Sequence, residues 1–188
     1  RGPKGVGVLY CRDGQAPLAL IHGGGQESGR RAGTENLPGI VGFGRACALA
    51  AEHLESERTR LAGLRDHLEH GLRERFPEMS INGSAAARLP NTANVSFPGV
   101  GAHSLVLNLD LLGFAVSAGS ACSAVREEPS HVLLAMGQSL ADARGGLRIS
   151  LGAETTAVEI DALLAALAAL VPQLRSRSGA ATGPEASS

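Results

Sequence analysis

The chain of 188 residues is long enough for a domain of ordinary size, and apolar residues make up 44% of it, enough for a core. Its 17 basic and 18 acidic residues give a net charge of −1, which argues against a general nucleic-acid or membrane-surface binder. No apolar run reaches the length of a membrane span, so we expect no membrane partner. Three widely spaced cysteines favour a reducing, cytoplasmic compartment over a disulfide framework.

The N-terminal region combines two apolar runs with a glycine-rich loop. Residues 6–11 and 18–21 have the pattern of buried strands separated by turn residues. Residues 22–36 form a long loop that contains five glycines and the adjacent Arg30 and Arg31. Backbone N–H groups, arginine and threonine could bind a phosphate there, but a solvated turn explains the composition equally well.

A helical pattern begins after Asn36, which can cap it, and ends before Pro77. Apolar residues recur at steps of three to four and seven residues, with charged residues on the other face. This pattern predicts one long helix, or two helices broken near residues 54–57. Cys47 falls on the apolar face and is expected in the core.

The rest of the chain alternates short strands with helices, which predicts an α/β arrangement: a small sheet covered by helices, with a separate N-terminal piece. A final segment rich in Ser, Ala and Gly, residues 176–188, is expected to be disordered. The predicted strands are residues 79–82, 93–97, 113–116 and 147–151, and the predicted helices are residues 102–112, 131–136, 140–143 and a last helix capped by Thr155 or Thr156.

Two residues stand out as candidates for chemistry. Cys122 lies in a run of very small residues, 117–124, which leaves a thiol uncovered as in reactive cysteines; a plain position in a Gly/Ser loop is the alternative. Arg148 lies between two core-facing strand residues, so its guanidinium is held in place and can bind a carboxylate through two parallel N–H donors. A surface-paired arginine is the alternative there. His131 could act as a base toward Cys122 or simply lie on a helix surface, and no Cys/His spacing is typical of zinc.

Seven motifs, in order, resemble those of the cysteine desulfurases, which belong to the class V aminotransferase family with the pyridoxal-phosphate fold type I. They are GPKGVG (2–7), HGGGQE (22–27), RAGTEN (31–36), PNT (90–92), SAGSAC (117–122), PSHVL (129–133) and LRISLG (147–152). The resemblance extends from Gly2 to about residue 170. The long loop around Cys122 is similar to that of the group that serves nitrogen fixation and general iron–sulfur assembly.

This resemblance implies roles for individual residues. Cys122 would attack the sulfur of L-cysteine bound to pyridoxal phosphate, becoming a persulfide and releasing L-alanine. Arg148 would hold the substrate carboxylate, and Thr34 would donate to the cofactor phosphate across a homodimer interface. The sulfur would pass to an iron–sulfur scaffold or a sulfur-carrier protein, for cluster or thio-cofactor assembly. No resident metal is implied, although a transient iron–sulfur contact through Cys122 stays open.

The resemblance also places the Schiff-base lysine upstream of Arg1, since Lys4, the only lysine, matches a different lysine of the family. We therefore expect the C-terminal portion of such an enzyme, inactive by itself. Residues 1–60 would be the end of the large cofactor-binding domain and the start of a linking helix, residues 61–175 the small αβ domain, and residues 176–188 a disordered tail. A non-catalytic interaction fragment and a selenocysteine lyase are the alternatives.

Overall fold

The chain divides into two compact units along its length. The computed structural model describes residues 2–12, 15, 18–118 and 129–180. The units are Arg1–Glu55 and Ser56–Ser188, and the division falls within the long helix α1 (Leu37–Arg75). It lies a few residues before the boundary that the sequence places between residues 60 and 61.

The N-terminal unit contains no strand among its described residues. The strands predicted at residues 6–11 and 18–21 are therefore wrong, and Tyr10 and Leu20 are 83% and 93% exposed. A strand needs a neighbour to pair its backbone N–H and C=O groups, and no described segment forms a ladder with these residues. The hydrophobic pattern alone does not supply that neighbour.

Helix α1 begins where the sequence predicts and runs without a break. The side-chain oxygen of Asn36 accepts a hydrogen bond from the backbone N–H of Gly39 at 3.2 Å, which caps the first turn. The helix then continues for 39 residues, so the alternative of two helices is wrong. Cys47 is exposed rather than in the core, and Val41 is 64% exposed, because too little of the N-terminal unit packs on this part of the helix.

The C-terminal unit is built on a four-stranded antiparallel sheet in the order β1-β2-β4-β3. The strands are β1 (Ser80–Ile81), β2 (Thr92–Ser96), β3 (Ser117–Ala118) and β4 (Gly146–Ser150). Pairing of β2 with β4 is the longest, from Thr92 opposite Ser150 to Ser96 opposite Gly146. The strand predicted at residues 113–116 is misplaced, because the pairing with β4 begins only at Ser117.

Four further helices complete the unit: α2 (Ala102–Leu111), α3 (His131–Ala135), α4 (Leu140–Arg144) and α5 (Ala157–Ala180). Thr156 caps α5, since its hydroxyl accepts from the N–H of Glu159 at 3.3 Å while a Glu159 carboxylate oxygen accepts from the N–H of Thr156 at 2.8 Å. The helix reaches Ala180, so the predicted disorder is wrong for residues 176–180. Residues 181–188 lie outside the described residues.

The core lies on one face of this sheet, under the last turns of α1 and under α2 and α5. Phe76 at the end of α1 meets Phe97 edge to face, with ring centroids 5.2 Å apart. Further buried residues come from α1, α2, α5 and the sheet: Leu68, Leu72, Ala93, Val95, Leu105, Leu109, Leu147, Ile149, Leu164, Leu167 and Val171. Each fully buried leucine contributes roughly 2 kcal/mol through the hydrophobic effect.

Helix α5 corrects one expectation from composition. Its stretch Ala157–Arg177 is long and apolar enough, by length and composition only, to cross a membrane. The stretch is this apolar because 11 of its 21 residues are alanine or leucine. Ile160, Leu164 and Leu167 on one side of it are almost fully buried in the core, as expected of a helix that packs on a sheet.

One carboxylate is buried beside this core. Glu69 on α1 is 3% exposed and accepts two hydrogen bonds from the guanidinium of Arg88, one of them 2.9 Å long between Nη2 and Oε2. The hydrogen bond to Glu69 raises the pKa of Arg88. Arg73 approaches the same carboxylate at 3.7 Å from an exposed position. The pair of Glu69 and Arg88 therefore ties the loop before β2 to α1.

We expect Arg88→Met to lower the free energy of unfolding by about 3 kcal/mol, because it leaves a buried carboxylate without its main partner. Urea denaturation would measure the loss. Arg73→Met is the matched control and should cost less than about 1 kcal/mol, since the guanidinium it removes is exposed. Equal losses for the two variants would contradict the role given to Arg88.

Candidate functional site

Arg148 projects from the sheet face opposite the core. Its neighbours Leu147 and Ile149 are 0% and 3% exposed, as predicted, and the alternation of β4 turns Arg148 the other way. The guanidinium is exposed, and its Nη2 donates to the hydroxyl oxygen of Ser117 on β3 at 3.3 Å. The predicted position of Arg148 is therefore confirmed, and its one hydrogen-bond partner among the described residues is a neutral group.

A groove opens between this sheet face and α3. Its volume is about 280 Å³, close to the lower limit for sites that hold small molecules. One wall is polar and is formed by Asn82, Asn94 and Arg148; the other carries Val132 and Leu133 of α3 and Met136, which follows that helix. The groove therefore offers a cation and amide groups on one side and an apolar surface on the other.

A buried amide network supports the polar wall. Asn82 is only 7% exposed, and its Nδ2 donates to Oδ1 of Asn94 at 2.7 Å and to the hydroxyl of Ser96 at 2.9 Å. Its backbone N–H donates to the carbonyl oxygen of Asn94 at 2.8 Å. Oδ1 of Asn82 is buried with no partner among the described residues. These bonds hold the Asn94 side chain against the sheet.

Helix α3 begins at the edge of the groove. The hydroxyl of Ser130 accepts from the N–H of Leu133 at 3.4 Å, which confirms the predicted cap. His131 is exposed at the first position of the helix and lines the groove. Its position agrees with a helix-surface histidine.

Cys122 lies outside the described residues, so the prediction that it is a reactive thiol stays a prediction. The described chain stops at Ala118 on β3 and resumes at Pro129. Ser117, just before the gap, hydrogen bonds to Arg148, and Ser130, just after it, lines the groove. Ser117 before this segment therefore contacts Arg148, and Ser130 after it lines the same groove.

Thr34 lies in the N-terminal unit, whereas Arg148 lies in the C-terminal unit. It is exposed in the glycine-rich loop just before α1, and its hydroxyl has no partner among the described residues. The loop has an unusual backbone: Glu27 and Ser28 adopt left-handed φ angles of 49° and 57°. Gly33, with φ of 105°, donates its N–H to Oε1 of Gln26 at 3.3 Å.

The donors of this loop fit one end of pyridoxal phosphate. A free threonine hydroxyl beside glycine-rich backbone suits a phosphate group, and Lys4, the only lysine of the chain, is exposed. Within the described ranges, no three His, Cys, Asp or Glu side chains cluster as metal ligands. The residues present therefore suit a phosphate at this loop and a carboxylate at Arg148.

The sequence reading missed Asn82 and Asn94. The alternating pattern of residues 93–97 already put Asn94 and Ser96 on one face of a strand. That pattern does not indicate which strand pairs with β2. The structure pairs β2 with β4 and places Asn94 directly opposite Arg148. Pairing between segments far apart in the chain is set by the packed core, not by either strand alone.

Comparison with known proteins finds relatives that match most of the chain. The family model described as aminotransferase class-V matches residues 1–163. The cysteine desulfurase IscS of Clostridium botulinum (strain Hall) is 47% identical over 179 residues, which cover 94% of this chain and 45% of that protein. The cysteine desulfurase of Gluconacetobacter diazotrophicus is 46% identical over 176 residues, covering 94% of this chain and 44% of that protein.

Solved structures give the same result for the fold. A NifS-like protein superposes with a TM-score of 0.79 and 39% identity over 92% of this chain and 44% of that one. The NifS-like protein of Rickettsia africae superposes with a TM-score of 0.72 and 33% identity over 83% of this chain and 40% of that one. The chain spans less than half the length of the relatives it matches.

Proposed function

The chain belongs to the aminotransferase class-V family, and from that premise we propose that it forms the C-terminal portion of a pyridoxal-phosphate-dependent cysteine desulfurase. The observation that carries the proposal is the placement of Arg148 in a groove of about 280 Å³, where Ser117, before the segment that carries Cys122, bonds to its guanidinium and Ser130, after that segment, lines the groove. The two relatives of the chain described above are named cysteine desulfurases. The match in sequence and the geometry of the site point to the same chemistry.

Arg148 would hold the substrate L-cysteine by its carboxylate. Its planar guanidinium can bind both carboxylate oxygens through parallel N–H donors, which fixes orientation as well as position. Leu133 and Met136 would shield the carbon atoms of the substrate from water. A substrate held in this way presents its thiol in a defined direction, which is what a nucleophile on a separate segment requires.

Cys122 would be that nucleophile, acting as a thiolate. Its sulfur forms a bond with the substrate sulfur while the substrate carbon–sulfur bond breaks, and protonation of that carbon completes L-alanine. Pyridoxal phosphate, when bound, supplies the electron sink that accepts the electron pair from the broken bond. The enzyme is left with a persulfide on Cys122, which holds the transferred sulfur.

Thr34 would donate its hydroxyl to the phosphate of the cofactor in the second subunit of a homodimer. The exposed hydroxyl and the left-handed loop before it support this role, because a strained, glycine-rich loop brings backbone donors close to an anion. The Schiff-base lysine would come from outside residues 1–188. The chain alone is then expected to be inactive.

The persulfide would pass to an iron–sulfur scaffold or a sulfur-carrier protein in the cytoplasm. Transfer between proteins requires that the sulfur be accessible, and the run of very small residues at 117–124 suits that requirement. The balanced net charge of −1 gives no reason to add a nucleic acid or a membrane as partner.

In the complete protein loaded with cofactor, we expect Cys122→Ser to lower the rate of alanine release from L-cysteine on the order of 10³-fold, because the attacking thiolate is lost. Quantification of alanine measures the change. Cys47→Ser, which alters an exposed cysteine of α1, is the control and should keep the rate of the parent protein. Full turnover by Cys122→Ser would exclude the proposed nucleophile.

Arg148→Lys should raise KM for L-cysteine about tenfold or more, because lysine keeps the charge but cannot bind both carboxylate oxygens. Steady-state kinetics of the complete protein test this. Arg144→Lys is the same exchange at an exposed position of α4 and should leave KM unchanged. Equal kinetics for both variants would remove Arg148 from the substrate site.

A further inference from the structure

We propose that Asn94 is a second donor to the substrate carboxylate beside Arg148, and that Asn82 is the positioning residue that turns the Asn94 amide toward the groove. This assignment rests on the proposed function and deepens it. It follows from strand register, from the direction of one hydrogen bond and from the charges of the groove.

Register places the two side chains together. Asn94 on β2 and Arg148 on β4 are direct partners in the antiparallel ladder, and both point away from the core, whose side is occupied by Val95 and Leu147. Directly opposed residues on one sheet face have Cβ atoms about 5 Å apart. Both side chains line the same groove. A small anion bound by Arg148 is therefore within reach of the Asn94 amide.

The hydrogen bond from Asn82 determines which end of that amide is free. Nδ2 of Asn82 donates to Oδ1 of Asn94 at 2.7 Å, so the acceptor end of Asn94 is already occupied. Nδ2 of Asn94 has no partner within the described part of the chain and remains a donor. Asn82 itself cannot turn freely, because it is 7% exposed and also bonded to Ser96.

The charges of the groove fit a carboxylate. None of the described residues that line it is acidic, and within the same part of the chain Arg148 is bonded only to the neutral hydroxyl of Ser117. The guanidinium of Arg148 and the amide N–H of Asn94 are both hydrogen-bond donors. Neither has an anionic partner among the described residues, so both can donate to a bound anion. The apolar wall of Leu133 and Met136 suits the short carbon chain of a small amino acid.

The test compares two ligands that differ only in the carboxylate. In the complete, cofactor-loaded protein, Asn94→Ala should raise KM for L-cysteine about tenfold, the usual loss for a hydrogen bond to a charged group. The inhibition constant of cysteamine, which lacks the carboxylate, should change less than about twofold. Asn94→Asp should raise KM more than Asn94→Ala does, because its carboxylate competes for Arg148 and repels the substrate.

Asn108 offers a matched control. It lies half-buried on α2, outside the groove, and its amide donates to the carbonyl oxygen of Ser104 at 2.8 Å. Asn108→Ala and Asn108→Asp should leave KM for L-cysteine and the inhibition constant of cysteamine unchanged. Thermal unfolding of every variant separates loss of fold from loss of binding.

Asn82→Ala tests the positioning role. It should raise KM for L-cysteine, and the double variant with Asn94→Ala should be no worse than Asn94→Ala alone, since Asn82 acts only through Asn94. Additive effects on KM would overturn the positioning role of Asn82. A KM unchanged in Asn94→Ala, or an equal loss for cysteamine, would overturn the donor role of Asn94.

Failure of the proposed function would look different. A complete parent protein that releases no alanine from L-cysteine would overturn that function itself. A parent protein that turns over normally, together with unaffected Asn94 variants, would overturn only the assignment made for Asn94.

Discussion

The pairing of β4 with β2 is the constraint on which the site depends. Burial of Leu147 and Ile149 holds β4 against the core, and the alternation of the strand then leaves Arg148 only the opposite face. A shift of one residue in the register of β4 would bury the guanidinium and expose Leu147, which would strongly destabilise the fold. Hydrophobic packing thus fixes the position of a residue whose role is electrostatic.

The same register organises the groove around Arg148. It brings Asn94 opposite the guanidinium and Ser117 to its other side, and Asn82 reaches Asn94 from β1. Ser117, before the segment that carries Cys122, bonds to Arg148, and Ser130, after that segment, lines the same groove. A carboxylate bound there would be close to both.

Sequence reasoning succeeded where the pattern and the fold depend on the same residues. The alternation of residues 147–151, the cap at Ser130 and the start of a helix after Asn36 follow from local rules, and the structure confirms them. It failed for the strands at residues 6–11 and 18–21, because a strand depends on a partner that its own residues cannot reveal. It missed Asn82 and Asn94 for the same reason: their role arises from pairing across the sheet.

The most direct measurement is a crystal structure of the complete protein with pyridoxal phosphate and L-alanine, the proposed product. The account predicts the amino-acid carboxylate on the guanidinium of Arg148, in the groove beside α3. An amino acid bound elsewhere, with Arg148 still bonded only to Ser117, would contradict it.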